Sequence, residues 1–308
     1  MTRPACFVGC DVGKTEIVVY SSDTRTIVTI VNEPASLARF AAGLAPDGFV
    51  VCEATGGYET ALLEALVAAD RPVHRADARK VKAFIRSLGT LAKTDAIDAR
   101  ALARYGEERL DRLKCWVPAD SDQSRLHAMV MARRDIIADR TAWNNRRKAP
   151  GADATAAYVT AILTALDDQL DAIDTDIAAL TQSGALAAKS RILQAIPGIG
   201  AVTAHGILAL MPELGTLDRK QAASLAGLAP HPRQSGQSNA YRSVKGGRPA
   251  LRQTLFMAAL SATRHNPALK AFYQRLRANG KKPIVAITAT MRKLITIANA
   301  QIRDAQLI

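Results

Sequence analysis

The segment CFVGCDVGKTEIVVYS (6–21) contains two apolar runs rich in β-branched residues, separated by a VGK turn. Such runs predict two neighbouring β-strands. Asp11 ends the first run, and Glu53 ends another apolar run, GFVVCE (48–53). Adjacent strands of a sheet finish side by side, so carboxylates at their ends converge readily. The sequence therefore predicts a sheet that carries Asp11 and Glu53 at one edge.

Two further acids, Asp95 and Asp98, lie in KTDAIDARALARY (93–105), whose pattern predicts a helix. Residues three apart on a helix share one face, with Cβ atoms about 5–6 Å apart. With Asp11 and Glu53 they make four carboxylates, which repel one another unless a cation lies among them. Hard oxygen ligands suit Mg²⁺ or Mn²⁺, and two such ions about 3.5–4 Å apart promote phosphodiester chemistry. The alternative is that each residue is an ordinary capping or surface acid.

The pattern around these segments alternates strands and helices. We predict further strands at 24–32, 49–53 and 72–77, and helices at 34–45, 59–69, 78–88 and 93–107. The order β-β-β-α-β-α-β-α-α resembles the RNase H-like fold, in which a mixed sheet presents acids at its strand ends. We therefore expect an α/β protein with an RNase H-like (RuvC-like) domain at residues 1–118.

Length and composition exclude several classes of protein. With 308 residues, of which 48% are hydrophobic, the chain is globular and long enough for two domains. No stretch approaches the ~20 apolar residues that span a bilayer, and the N-terminus lacks the apolar run of a signal peptide. The four cysteines have no zinc-binding spacing. We expect a cytoplasmic protein without a membrane partner.

Charge is distributed unevenly along the chain, whose formal net charge is +13. Residues 186–308 hold 18 Lys and Arg but three acids, whereas residues 1–110 and 111–185 are close to neutral. A segment with so few acids repels itself unless a polyanion lies against it, and nucleic acid is the natural partner. A membrane surface is the weaker alternative, because no amphipathic helix with aromatic anchors stands out.

Two long helices are predicted within residues 119–185. Residues 121–148 form a basic helix, and residues 153–182 form an acidic helix with a heptad repeat. The apolar heptad positions are Leu163, Leu166, Leu170, Ile173, Ile177 and Leu180. Opposite charges around a short turn predict an antiparallel coiled-coil hairpin. Its role is dimerisation, RNA contact or that of a structural arm.

The C-terminal region, residues 186–308, is predicted to be mostly helical. Within LQAIPGIGAVTAHGILALM (193–211), the PGIG sequence lies between two apolar helices, as in a helix-hairpin-helix. Gly198 and Gly200 would let the backbone approach a phosphate, which the next helix would bind with its N-terminal amides. A tight helix–helix turn is the alternative, and the adjoining positive charge favours DNA binding.

The segment 225–256 is predicted to be a loop rich in Gly, Pro, Ser and basic residues. A serine in such a loop is usually a turn residue, but Ser235 would be a nucleophile if a DNA phosphate lay beside it. Five cations are candidates to hold that phosphate and offset its charge: Arg233, Arg242, Lys245, Arg248 and Arg252.

These segments together resemble the DEDD transposases of bacterial insertion sequences, which are also known as bridge-RNA-guided recombinases and have the pilin-gene invertases as relatives. The resemblance covers nearly the whole chain. It rests on DVGK (11–14), EATGGYE (53–59), KTDAIDARALARY (93–105), IPGIG (196–200), GLAPHPRQSG (227–236), GGRPALR (246–252) and GKKPIVAITATMRKL (280–294). It implies a RuvC-like domain at 1–118, a coiled-coil arm at 119–185 and a C-terminal transposase domain at 186–308.

The resemblance also implies roles for residues. The family's metal-binding quartet, which is expected to hold two Mg²⁺ or Mn²⁺ ions, corresponds to Asp11, Glu53, Asp95 and Asp98. Ser235 matches the serine expected to join covalently to DNA; Ser238 and Ser243 lie nearby, but neither is followed by glycine. The family is expected to act as a homo-oligomer, a dimer or tetramer, on donor and target DNA with an element-encoded RNA.

We therefore predict a site-specific DNA recombinase or transposase of a bacterial insertion sequence, guided by a bridge RNA. It would use a two-metal acidic quartet and a serine nucleophile to cut and rejoin donor and target DNA. One alternative is a metal-dependent Holliday-junction nuclease without serine catalysis, which forms no covalent adduct with DNA. The other is a non-catalytic nucleic-acid-binding protein, which shows salt-sensitive binding and needs no divalent ion.

Overall fold

The computed structural model describes residues 3–89, 94–118, 120–235 and 238–305; between 232 and 242 it describes backbone and not side chains. The chain divides into two compact units, Met1–Pro118 and Ala119–Ile308. Within the ranges given, no helix is long and apolar enough to cross a membrane.

The first unit is built on a five-stranded mixed sheet. Its strands are β1 (Cys6–Val12), β2 (Glu16–Ser21), β3 (Ile27–Val31), β4 (Gly48–Glu53) and β5 (Val73–Ala76). They lie in the order β3-β2-β1-β4-β5. The pairs β1–β2 and β2–β3 are antiparallel, and the pairs β1–β4 and β4–β5 are parallel. The prediction of an α/β unit with a mixed sheet is confirmed.

Four helices cover the two faces of this sheet: α1 (Pro34–Gly43), α2 (Thr60–Ala68), α3 (Ala78–Ser87) and α4 (Asp95–Arg109). Strand residues alternate between the faces, so Val50 and Cys52 pack with the residues of α1 and α2. Phe49 and Val51 pack instead with residues of α3 and α4. Because β1 and β4 are buried on both faces, both read as continuous apolar runs.

Helix α4 approaches β1 unusually closely, and Gly9 makes this possible. A Cβ atom at Gly9 would lie 1.9 Å from the carbonyl oxygen of Ala99 and 2.5 Å from the backbone nitrogen of Ala103. No side chain fits in that space, so the α4 backbone rests directly on the strand. The contact places the first turn of α4 beside the end of β1.

The second unit is mostly helical. Its helices are α5 (Ser121–Arg147), α6 (Ala156–Leu180), α7 (Gly184–Gln194), α8 (Ala201–Leu210), α9 (Arg219–Leu225), α10 (Pro249–His265), α11 (Pro267–Ala278) and α12 (Pro283–Ala305). Its largest apolar core draws on α8, α10 and α12, with Ile207, Leu255 and Leu294 fully buried.

Helices α5 and α6 pack side by side in antiparallel directions. Arg133 pairs with Asp174, and Arg140 pairs with Asp167. Residue numbers therefore rise along α5 while those of the partner residues on α6 fall, as antiparallel helices require. The six predicted heptad positions are buried or half-buried, whereas most α6 residues between them are exposed. The helical hairpin is thus present, and its winding into a coiled coil stays a prediction.

The segment 225–256, predicted to be a loop, instead contains a β-hairpin formed by β6 (Pro230–Ser235) and β7 (Ser238–Val244). The loop prediction was therefore wrong for these two strands, and also for residues 249–256, which belong to α10. Strand β6 has the sequence PHPRQS, which lacks the alternating apolar residues that indicate a strand. Its register shifts between His231 and Arg233, where proline supplies no backbone N–H to the ladder.

Candidate active site

All four predicted acids of the first unit line a single cavity of about 790 Å³. They are Asp11, Glu53, Asp95 and Asp98; a fifth acid that the sequence analysis did not select, Glu16 of β2, lines the same cavity. The cavity lies where β1 and β4 end and α4 begins. The structure thus brings together residues that are separated by up to 87 positions in the sequence.

The strand geometry explains why Asp11 and Glu53 are neighbours. Strands β1 and β4 are parallel, with Cys10 opposite Cys52, so the two acids occupy the next register position on adjacent strands. Parallel neighbours lie about 4.8 Å apart. By strand alternation, both acids belong to the sheet face that packs against α3 and α4.

Helix α4 supplies the other two carboxylates from its first turn. Thr94 caps this helix, and its hydroxyl accepts a hydrogen bond of 3.3 Å from the backbone N–H of Ile97. Asp95 and Asp98 follow the cap, where the helix dipole favours negative charge. Since Gly9 lets α4 rest on β1, the cap and the close packing together fix where these acids lie.

The donor chemistry of this cavity suits a hard divalent cation, since all four side chains offer carboxylate oxygens. Among the residues that the structure describes, however, no three His, Cys, Asp or Glu side chains are grouped closely enough to hold a metal ion. Asp11 and Glu53 each take part in other interactions within the protein. The four acids therefore share a cavity without forming a closed ligand cage.

Two cations that the sequence analysis missed also line this cavity: Lys82 and Arg86 of α3. Both are exposed, and their spacing of four residues places them on one face of the helix. That spacing was visible in ARKVKAFIRS (78–87), but only the fold shows that this face borders the acids. The cavity can therefore receive an anionic group beside its carboxylates.

Glu59 anchors the turn that follows β4, a role the sequence analysis did not assign. Its side chain is fully buried, and it accepts hydrogen bonds from Arg75 Nε at 2.7 Å and from the backbone N–H groups of Thr55 and Gly57. Burial alone would raise the pKa of Glu59, but these hydrogen bonds outweigh it and hold the pKa below its ordinary value. The ionised Glu59 thus fixes the backbone immediately after Glu53.

In the second unit, the structure gives Gly198 a packing role. Gly198 has φ +106°, and a Cβ atom there would lie 2.6 Å from Cβ of Ala262. The PGIG turn between α7 and α8 therefore needs glycine in order to pack against α10. Gly200 is the N-cap of α8, and a Cβ atom there would meet nothing within 4 Å. A phosphate-binding role for both glycines stays a prediction.

Two of the predicted phosphate-binding arginines hold the fold together. Arg248 makes a two-pronged ion pair with Glu213, at 2.8 and 2.6 Å, and donates to the carbonyl oxygen of Leu210. Burial tends to raise the pKa of Glu213, but the hydrogen bonds from Arg248 keep that pKa lowered. Arg252 donates to two backbone carbonyls, those of Gly227 and Gly246.

The remaining predicted residues lie in or beside the β6–β7 hairpin. Lys245 is exposed. Ser235 ends β6, and its backbone pairs with Ser238 of β7. The side chains of Ser235, Arg233 and Arg242 lie outside the described residues, so their predicted roles stay predictions. Ser243, a neighbouring serine, has a buried hydroxyl with no hydrogen-bond partner among the described residues.

Comparisons with known families match both units. A family model described as a transposase, of the DEDD type found in IS110, matches residues 8–149. A second model, described as the IS116/IS110/IS902 transposase family, matches residues 190–274. The first match contains all five acids of the cavity, and the second contains the PGIG turn and the β6–β7 hairpin.

Individual relatives agree with the family models. A pilin gene-inverting protein of Moraxella lacunata is 32% identical over 264 residues, which cover 83% of this chain and 80% of that protein. The 43.6 kDa protein of insertion element IS110 from Streptomyces coelicolor is 34% identical over 145 residues, covering 46% of this chain and 35% of the relative. The 42 kDa protein of IS900 from Mycobacterium paratuberculosis is 24% identical, covering 99% of this chain and 97% of the relative.

Proposed function

Because this chain belongs to the IS110/IS116/IS902 family of transposases, we propose that it is a site-specific recombinase that cuts and rejoins donor and target DNA. The observation that carries the proposal is the single cavity that brings together the four predicted acids from β1, β4 and α4, with Glu16 of β2 beside them. Carboxylates that converge from three elements repel one another and so do not stabilise the fold. The same arrangement can bind the metal ions that phosphodiester chemistry uses.

We propose that the four acids hold two Mg²⁺ or Mn²⁺ ions. Bound there, the ions would polarise the phosphate and stabilise the attacking and leaving oxygens. The chain's own residues provide the setting. Glu59 and Arg75 hold the turn after Glu53, and the capped start of α4 presents Asp95 and Asp98. Lys82 and Arg86 attract the DNA backbone to the cavity.

Ser235 is the proposed nucleophile. Its hydroxyl oxygen forms an ester bond with a DNA phosphorus while the bond from that phosphorus to the leaving sugar oxygen breaks. The serine proton is released, and the leaving oxygen takes up a proton to become a sugar hydroxyl. A sugar hydroxyl of the partner DNA then attacks the same phosphorus and restores the serine, so the exchange needs no external energy source.

We further propose that an element-encoded bridge RNA selects donor and target DNA by base pairing, and that the chain acts as a homo-oligomer on nucleoid DNA in the bacterial cytoplasm. The net charge of +15 over residues 186–308 supports a nucleic-acid partner of this kind. The M. lacunata relative is named for gene inversion, which is also a cut-and-rejoin reaction on DNA.

A strand-exchange assay with plasmid substrates tests the proposal. The wild-type chain, supplied with the DNA and RNA of its element, should yield recombined plasmid, and Asp11→Ala and Ser235→Ala should each yield none. Denaturing gels should show a protein–DNA adduct with wild-type protein and none with Ser235→Ala, while Ser243→Ala should retain the adduct. Cleavage by Ser235→Ala without any adduct would instead identify a metal-dependent nuclease.

A further inference from the structure

The second unit contains a basic groove along α12 that none of the predicted site residues occupies. Two cavities, of about 870 and 520 Å³, lie next to each other along α12, since both are lined by Pro230, Ala289 and Arg292. We call them together the α12 groove. Its walls come from α9, the start of β6, the end of β7, α11 and α12.

The cations of the α12 groove have no acidic partners. Five basic side chains line it: Arg219, Lys220, Lys281, Arg292 and Lys293. No Asp or Glu lines either cavity, and none of the five makes an ion pair with another residue that the structure describes. Arg248, by contrast, is fully engaged with Glu213. The groove therefore presents positive charge that only an external anion can neutralise.

Arg292 is the central cation of the groove. It lines both cavities and is half-buried, while the other four cations are exposed. Its aliphatic stem is partly covered, and its guanidinium group has no carboxylate partner among the described residues, so it is available to an anion in either cavity.

The length of the groove fits a polynucleotide. Its lining residues on α12 run from Ile284 to Thr296. At 1.5 Å per residue this stretch spans about 18 Å. One stacked strand, with phosphates 3.4 Å apart, would present about five phosphates over that distance. A lone phosphate or a single nucleotide would leave most of the cations unused.

The lining of the groove favours one strand over two, because the bases of a single strand are free to contact an apolar wall, whereas those of a duplex are paired and stacked inside it. Besides the cations, the larger cavity is lined by five apolar residues and two hydroxyl residues: Ala223, Ala229, Pro230, Phe272, Ala289, Ser224 and Thr296. Lys293 Nζ lies 4.6 Å from the centre of the Phe272 ring. A cationic groove with apolar walls for the bases is typical of single-strand binding.

We propose that the α12 groove binds a single-stranded segment of nucleic acid, with the phosphates on Arg219, Lys220, Arg292 and Lys293 and the bases against the apolar wall. The inference shares with the proposed function the premise that the partner is a polynucleotide. It adds a binding site on α9 and α12, away from the β6–β7 strand end that carries Ser235.

Fluorescence anisotropy with the full-length chain tests the proposal. The probes are a single-stranded DNA, an RNA of the same sequence and the corresponding DNA duplex. Arg292→Gln combined with Lys293→Gln removes two groove cations, and Arg264→Gln combined with Lys270→Gln removes two exposed cations elsewhere in the same unit. Lys220→Gln with Lys293→Gln, both at exposed positions, replaces the first variant if loss of Arg292 impairs folding.

The groove variant should bind single strands about tenfold more weakly, and its log–log salt slope should fall by about 1.4, because each single-strand phosphate contact contributes about 0.7. The control variant should change affinity less than about twofold, since its charges lie outside the contact. The tighter of the DNA and RNA probes identifies the natural strand.

Equal losses in the groove and control variants would overturn the proposal, as would a groove variant that weakens duplex binding as much as single-strand binding. The two proposals fail separately. Wild-type protein that binds single strands through the groove but forms no adduct or recombinant would refute the recombinase function alone. Wild-type protein that recombines DNA while the groove variant binds normally would refute the groove alone.

Discussion

The acidic cavity of the first unit and the α12 groove of the second unit differ in how they balance charge. The acidic cavity combines five carboxylates, those of the four predicted acids and of Glu16, with Lys82 and Arg86, so it can receive both cations and anions. Among the residues that the structure describes, five cations and no acid line the α12 groove. A region with both carboxylates and basic side chains is suited to a reaction at a phosphate, because it can bind metal ions as well as the phosphate. A region with basic side chains alone is suited to binding a phosphate backbone.

The largest expected effect is the loss of strand exchange, with little change in DNA affinity, when an acid of the cavity is replaced. Asp11→Ala or Asp95→Ala should reduce strand exchange by about 10³-fold or more, because residues that act together in one site lose most activity when any one is removed. DNA affinity should stay within about threefold of wild type, since no phosphate contact is lost. Plasmid recombination and anisotropy measure the two quantities.

Glu64→Ala is the matched control, because Glu64 is an exposed acid of the same unit that does not line the cavity. It should recombine like wild type. Full recombination by both Asp11→Ala and Asp95→Ala would show that the acidic cavity is not the site of chemistry, and would remove this difference between the cavity and the α12 groove.

The next effect concerns the packing that holds the acidic cavity together. Gly9→Ala should lower the free energy of unfolding by about 3 kcal/mol, because its Cβ atom would lie 1.9 Å from the carbonyl oxygen of Ala99 and α4 would have to move. Gly43→Ala is the control, since a Cβ atom there meets nothing within 4 Å. Urea unfolding measures both, and equal stabilities would contradict the close approach of α4 to β1.

A smaller effect is expected at the ion pair between the buried Glu59 and the exposed Arg75. Glu59→Gln should lower the free energy of unfolding by about 2 kcal/mol at neutral pH, because the Arg75 and backbone donors lose a charged acceptor. The pKa of Glu59 is lowered in the folded state, so the wild-type advantage is present above the ordinary carboxyl pKa and fades as the pH falls through the lower folded value.

This loss of the wild-type advantage can be measured as the difference in melting temperature between wild type and Glu59→Gln from neutral to acidic pH. The two curves should converge at low pH. A difference in melting temperature that is constant across the range would show that ionisation of Glu59 does not contribute.

The smallest effect concerns the cations of the acidic cavity. Lys82→Gln combined with Arg86→Gln should weaken DNA binding about tenfold through the loss of two phosphate contacts. Lys80→Gln, on the same helix but outside the cavity lining, should bind nearly as wild type. Lys80→Gln could instead weaken DNA binding as much, per charge removed, as the double variant does. Non-specific electrostatic attraction between α3 and DNA, and not a contact at the cavity, would then explain the result.

The acidic cavity was largely predictable from sequence, because local patterns determine its parts. Asp11 and Glu53 end apolar runs that become parallel strands, and Asp95 and Asp98 follow a capping threonine. A strand end and a helix start have recognisable residues, and the rules of sheet geometry bring such ends together.

The α12 groove was not predictable in this way. Its cations come from α9, from the residues before α12 and from α12 itself, and only tertiary packing brings them together. Sequence gave the total charge of the region but not which cations were already paired. Arg248 was predicted to bind phosphate, but in the structure its guanidinium group pairs with Glu213, which lies 35 residues earlier in the sequence.

The central claim is that the acidic cavity binds divalent ions, and thermal unfolding with added Mn²⁺ or Mg²⁺ tests it most directly. Binding to the folded state stabilises it by about 2.7 kcal/mol at a concentration 100 times the dissociation constant. The melting temperature of wild type and of the Glu64→Ala control should therefore rise, while Asp11→Ala and Asp98→Ala should not respond. A wild-type protein that shows no rise, or acid variants that rise as far as wild type, would contradict the account.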